Sequence, residues 1–143
     1  ALRIGPAERE EIRHREFVEH IIDFLEIQAY RKTPVGQLPY GLQKRVDLGR
    51  ALAMEPQLLL LDEPMAGMGP DESLQMVELI DTLRRDMAVL LIEHDMDAVF
   101  RLADRISVLV YGRVLTSGTP DAIRNNAEVQ AVYLGTETLE TPE

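Results

Sequence analysis

Two adjacent carboxylates, Asp62 and Glu63, follow the apolar run Leu58-Leu59-Leu60-Leu61 and precede Pro64. In parallel α/β sheets ligands sit beyond the carboxyl ends of the strands, so acids placed there can serve phosphate chemistry. Successive side chains leave a strand in opposite directions, which gives the pair different surroundings. Asp62 could hold a Mg²⁺ ion bound to a nucleotide. Glu63 could face a water in line with the terminal phosphate, as general base or water-positioning residue. The competing reading is a strand end and a turn without chemistry. A second apolar run, Ala88–Ile92, ends in Glu93-His94-Asp95. His94 would emerge at the same sheet edge, where a neutral imidazole can donate to a phosphate oxygen, although a histidine there is also an ordinary turn residue. A metal cluster of Glu93, His94, Asp95 and Asp97 is disfavoured, because consecutive residues point apart and one imidazole is available. The third piece is Leu38-Pro39-Tyr40-Gly41-Leu42-Gln43, a loop that feeds a helix. Free N–H groups and the positive dipole end make such a junction an anion site. Gly41 removes the side chain that would hold a phosphate away. Lys44, Arg45 and Arg50 add positive charge, and the plain alternative is an amphipathic helix with solvated basic residues.

The elements that must position these residues alternate along the chain. Pro6 and the acids Glu8, Glu10 and Glu11 suit a helix start. Ile12, Phe17, Val18, Ile21, Ile22 and Leu25 recur as one buried stripe until about Tyr30, and His14 and His20 fall on the charged face and need no function. Thr33-Pro34-Val35-Gly36 breaks the pattern, and a second helix is expected from about Leu42 to Met54, with a stripe near Gly49 and Leu52. Leu58–Leu61 has the wholly apolar pattern of a strand buried on both faces. Pro70 opens a helix carrying Met76, Leu79, Ile80 and Leu83. Ala88–Ile92 is a second buried strand, followed by a helix over Met96–Leu102. Ile106–Val110 and Val114–Thr116 flank Tyr111-Gly112-Arg113 as a hairpin. Pro120–Asn125 and Glu128–Leu134 are expected as short closing helices. The succession strand, helix, strand, helix, strand predicts an α/β fold with a parallel sheet.

Composition bounds the function. The 143 residues, 45% hydrophobic and 28% charged, are those of a globular chain, and the absence of Cys excludes a disulfide framework and thiolate zinc sites. No run reaches the roughly 18 apolar residues of a spanning helix, and Ala1–Pro6 does not read as a signal peptide. A net charge of −10 argues against autonomous binding to nucleic acid or acidic lipid. The chain reads as soluble and intracellular. Residues 1–56 hold nine basic and nine acidic residues, whereas residues 57–143 hold six and sixteen. This divides the chain into a helical unit, 1–56, an α/β unit, 57–135, and a polar tail, 136–143.

Taken together, the three pieces resemble the ATP-binding subunit of ABC transporters over most of Glu8–Gly135. In that family a signature loop and its helix precede the Walker B strand, as Leu38–Leu52 precedes Leu58–Glu63. A D-loop follows at once, matching Ala66-Gly67-Met68-Gly69-Pro70, and a switch histidine follows the next strand, matching His94. Leu-x-Tyr-Gly in the signature resembles the branched-chain amino-acid group, as do Tyr111-Gly112-Arg113, Gly118-Thr119-Pro120 and Tyr133-Leu134-Gly135. Pro39 stands where many relatives carry Ser, Leu42 where Gln is usual (Gln43 following as a partial substitute), and Gly69 where Asp or Asn is common. The phosphate cradle Gly-x-x-x-x-Gly-Lys-Ser/Thr is missing. The chain has two lysines, Lys32 lacking glycines at the required positions and Lys44 followed by Arg45.

The resemblance implies a P-loop NTPase-like fold, truncated at the N-terminus, with a helical signature subdomain and a parallel-sheet portion, the cradle lying before Ala1. It implies ATP and Mg²⁺ as cofactors, with Asp62 on the metal, Glu63 on the water and His94 sensing the γ-phosphate. Leu38, Pro39, Tyr40, Gly41, Leu42 and Gln43 would complete the ATP site of a second ATP-binding subunit in trans, and Gly67 and Gly69 of the D-loop are counted with the ATP-binding residues. The partners implied are that subunit, transmembrane permease subunits touched by Glu8–Met54 and, indirectly, a periplasmic or surface solute-binding protein. The place implied is the cytoplasmic face of the cell membrane, as a peripheral subunit. The chain itself is expected to hydrolyse little ATP, and its incomplete sheet to leave strand edges open and favour self-association. Two other readings stand beside this one: an ABC-type ATPase of DNA repair or translation, and a non-hydrolysing half-cassette that binds an intact subunit.

Overall fold

Pro6, preset for a helical φ, and Glu8, whose charge opposes the dipole, start α1 (Pro6–Phe24) in the computed structural model, which describes residues 5–134. The helix ends earlier than the stripe predicts, because Glu26 turns into the left-handed region at φ 57°. The predicted stripe is buried at its end: Ile21 and Leu25 are covered, whereas Ile12 and Val18 are 43% and 42% exposed. Two short 3₁₀ turns, Gln28–Tyr30 and Val35–Gln37, carry the chain to α2 (Tyr40–Leu52). Gly49 lets α1 and α2 approach, since a Cβ there would stand 2.7 Å from Leu25 Cδ1. The buried face of α2 is Gly41, Arg45, Leu48 and Leu52, and this corrects the expectation for Arg45. Its guanidinium is not solvated beside the signature loop. It donates to the Leu25 carbonyl at 2.9 Å, to the Gln75 amide oxygen, and at 3.5 Å to Glu26.

Strands β1 (Leu58–Asp62) and β2 (Ala88–Ile92) pair in parallel, Leu58 against Ala88 and Asp62 against Ile92, joined through α3 (Pro70–Leu83). The crossover helix buries Met76, Val77, Ile80 and Leu83, and Leu59 is buried on β1. One crossover helix covers one face. The other face carries Leu58, Leu60, Leu90 and Ile92, each more than half exposed, so the strands are not buried on both sides as their apolar runs predict. An apolar run reports the face that a sheet is suited to cover as well as the face that is covered. All of this lies in the first of two compact units, residues 1–93. The compositional break at Glu55-Pro56 falls inside it.

The second unit comprises residues 94–143. Asp95 caps α4 (Met96–Leu102), its carboxylate accepting the amides of Asp97 and Ala98 at 3.0 and 3.2 Å. Strands β3 (Ile106–Val110) and β4 (Arg113–Gly118) form the expected hairpin, antiparallel. Its loop is Tyr111-Gly112, φ 47° and 74°, the paired positive values of a type I′ turn. β3 therefore takes β4 as its partner, and the parallel sheet has two strands among the described residues, not three. Ile106, Val108, Ile123 and Val129 make the core, with Val99 and Phe100 against it. Thr119 caps α5 (Pro120–Arg124) and Asn126 caps α6 (Ala127–Val129), followed by one π-helical turn, Gln130–Leu134. Tyr133 donates from its hydroxyl to the Leu109 carbonyl at 2.5 Å. Gly135 and the tail 136–143 lie outside the described residues.

Candidate functional site

Asp62 is the last residue of β1 and its side chain is exposed at the carboxyl edge of the sheet. The backbone then turns sharply. The Glu63 N–H still donates to the Ile92 carbonyl at 2.9 Å, extending the ladder by one bond, but Glu63 adopts φ 44°. The two carboxylates therefore part through a left-handed residue, not through the alternation of an extended strand. A left-handed glutamate costs roughly 1–2 kcal/mol, a strain that the buried Pro64 and Met65 behind it sustain. The turn is held from β2 as well: the Met65 N–H donates to the Glu93 carboxylate at 3.2 Å. Glu93, considered above as a metal ligand, thus braces the loop behind Glu63. Among the described residues no group of three or more His, Asp or Glu could hold a metal ion. A single open carboxylate such as Asp62 fits a different role, since Mg²⁺ bound to a nucleotide takes one or two protein carboxylates and fills its remaining positions with phosphate and water.

The D-loop follows. Gly67 sits at φ 76°, and Gly69 is the N-cap of α3, its N–H donating to Glu72 at 3.2 Å. The signature segment approaches it within the same unit. A Cβ on Gly67 would meet Tyr40 Cε1 at 3.0 Å. Pro39 is the N-cap of α2, its carbonyl accepting the amides of Leu42 and Gln43 at 3.0 and 3.1 Å, and Leu38 is buried. Gln43 turns its side-chain amide back on its own loop. Its Nε2 donates back to the Leu38 carbonyl at 2.8 Å and braces the loop. The space beside Gly41, read from sequence as room for a phosphate, holds the Glu72 carboxylate, 2.6 Å from where a Cβ would stand.

His94 opens the second unit, exposed, two residues beyond Ile92, the register partner of Asp62. The structure thus gathers Leu38–Gln43, Asp62, Glu63, Gly67 and Gly69 in one unit, and His94 belongs to the other. Sequence reasoning missed Glu72 and Gln75, and weighed Glu93 only as a member of a disfavoured metal cluster. The one available signal was Gly69-x-x-Glu72, a capping-box spacing with glycine in the place of Ser or Thr.

The chain matches the family described as ABC transporter over residues 5–66, and the branched-chain amino acid ATP-binding cassette transporter family over residues 113–138. It is 38% identical over 129 residues to the high-affinity branched-chain amino acid transport ATP-binding protein BraF of Pseudomonas aeruginosa, covering 89% of this chain and 51% of that one. It is also 38% identical over 135 residues to the lipopolysaccharide export system ATP-binding protein LptB of Acidithiobacillus ferridurans, covering 94% and 54%. The fold superposes on the ADP conformation of MJ1267, an ATP-binding cassette of an ABC transporter, with TM-score 0.74 and 26% identity over 86% of this chain and 50% of the other. The chain spans about half the length of the curated relatives it matches. Family matches, relatives and fold agree: the chain belongs to the ATP-binding cassette family of ABC transporters, and its likeness there is to the branched-chain amino-acid group.

Proposed function

We propose that this chain supplies the signature, Walker B, D-loop and switch-histidine portion of an ATP-binding subunit whose ATP hydrolysis drives an ABC importer. The observation that carries the reading is the presence, in one unit, of an exposed carboxylate pair at the carboxyl end of β1 and of the Tyr40-Gly41 turn packed on Gly67. When bound, MgATP supplies the phosphoryl group and the cation that offsets its charge. Asp62 would hold the cation, Glu63 would orient the attacking water and accept its proton, and His94 of the second unit is the candidate donor to the terminal phosphate. The N–H groups of Tyr40 and Gly41 at the start of α2 would serve the nucleotide of a second ATP-binding subunit. Transmembrane permease subunits take up the motion at the cytoplasmic face, and a solute-binding protein delivers cargo indirectly. The match at residues 113–138 favours branched-chain amino acids or a similar small polar solute as that cargo. Among the described residues no helix is long and apolar enough to cross a membrane.

No Gly-x-x-x-x-Gly-Lys-Ser/Thr run occurs in the 143 residues, so the chain alone is expected to turn over little ATP. Phosphate release is measured from the purified chain, alone and co-expressed with a Walker A-bearing segment of BraF. Turnover is expected only in the second case, and Glu63→Gln should abolish it. Turnover indifferent to Glu63→Gln refutes the reading, and Glu63-dependent turnover by the chain alone refutes its inactivity.

A further inference from the structure

The signature turn and the D-loop turn are remote in sequence, yet two side chains join them inside the first unit. At one point the ring of Tyr40 lies against Gly67, where a Cβ would come within 3.0 Å of it. Lys44 stands one helical turn on, its Nζ 5.6 Å from the centroid of the same ring, and steadies it from within α2. At the other point Glu72 spans the gap. One carboxylate oxygen accepts the Gly69 N–H at 3.2 Å, and the other fills the place of a Cβ on Gly41. A single carboxylate therefore closes the first turn of α3 and packs on the second residue of α2. Its engagement with Gly69 is what makes the fit at Gly41 demanding, because a free glutamate would simply swing aside. The chemistry proposed above gives Glu72 no role and derives no step from the contact between Tyr40 and Gly67.

We propose that Glu72 and Tyr40 are positioning residues that fasten the signature turn to the D-loop turn, so that whatever orders one turn orders the other. The purpose of the two turns rests on the functional reading above, whereas the fastening is a property of the fold. Glycine at 41 is then required by an internal fit. A methyl group there lifts Glu72 from the Gly69 amide and frees the D-loop without touching it.

The test is hydrogen–deuterium exchange on the 143-residue chain without nucleotide, comparing wild type with Glu72→Ala, Glu72→Gln and Tyr40→Leu. Glu72→Ala is expected to speed exchange about fivefold, the size of a lost helix cap, at the first-turn amides of α3 and equally at Leu42 and Gln43 across the gap. Tyr40→Leu is expected to speed exchange at Ala66 and Met68. Glu72→Gln keeps an acceptor for the Gly69 N–H and restores most of the protection, which loss of bulk alone would not explain. Amides of Met76–Leu83 report that the fold is intact. Acceleration confined to the substituted turn overturns the proposal. Should a variant loosen the whole unit, a double substitution decides. Gly41→Ala lowers the urea midpoint in the wild-type background and leaves it unchanged in Glu72→Ala, and an equal shift in both backgrounds overturns the fastening. Because no nucleotide is involved, a fastening found together with absent Glu63-dependent turnover supports the proposal and refutes only the functional reading.

Discussion

Replacing Arg45 by methionine should destabilise the first unit by about 3 kcal/mol, through hydrogen bonds and not through its ion pair. Methionine keeps the apolar stem and removes the donors. Two bonds from a charged donor are lost, to the Leu25 carbonyl at 2.9 Å and to Gln75, each worth about 1.5 kcal/mol or more. The Leu25 carbonyl is left buried without its partner, which sustains the loss. The third partner contributes little. Glu26 is 75% exposed and 3.5 Å away, a geometry worth about 0–1 kcal/mol. Glu26→Gln should therefore cost under about 1 kcal/mol, and Arg45→Lys should fall between, because one ammonium cannot reproduce a forked donor. Urea titration followed by helical circular dichroism measures this. With a slope in the usual range of about 1–3 kcal/mol per molar, the Arg45→Met midpoint should fall by about 1 M or more. A loss below about 1 kcal/mol, or a Glu26→Gln loss equal to it, refutes the account.

Glu63→Gly should stabilise the fold by about 1 kcal/mol in the same titration while removing any turnover, because glycine accepts φ 44° without strain; a destabilised variant would show that the turn is not strained. Leu60→Thr with Leu90→Thr on the open sheet face should change stability by less than about 0.5 kcal/mol yet reduce self-association, read by sedimentation velocity. Arg84 and Arg85 hold the Asp81 carboxyl below its ordinary range. That stabilisation is present above about pH 4, the unfolded carboxyl value, and is lost as pH falls through the lower folded value. Asp81→Asn should accordingly flatten the acid limb of the stability curve and leave its slope above about pH 5 unchanged.

What could be read from the residues was whatever depends on period and punctuation. Leu58–Leu61 and Ala88–Ile92 are strands, Pro70 opens α3, and Tyr111-Gly112 closes the hairpin, because local sterics and alternation decide each of these. Arg45 was misread because charge was given more weight than phase. Positions 41, 45, 48 and 52 form one face, and a guanidinium can join that face if backbone carbonyls and an amide receive it. Leu48 was missed for the same reason. The left-handed Glu63 and the brace from Glu93 depend on how β1 and β2 lie in register, which no local pattern carries. Gly41 illustrates the remaining gap: its type was legible as a requirement for space, and only the fold identifies what fills it.

The register of the two sheets also bears on the order in which the chain folds. Leu58 pairs with Ala88, about thirty residues on, and the hairpin pairs span from Val110–Arg113 out to Ile106–Gly118. Every strand pairing among the described residues is thus between segments that leave a ribosome in quick succession, and loop closure at such separations carries a small entropic barrier. Among the described residues the β1–α3–β2 piece pairs with no later strand. In a growing chain it would present its finished carboxylate edge, and its one open apolar face, before the hairpin had been synthesised.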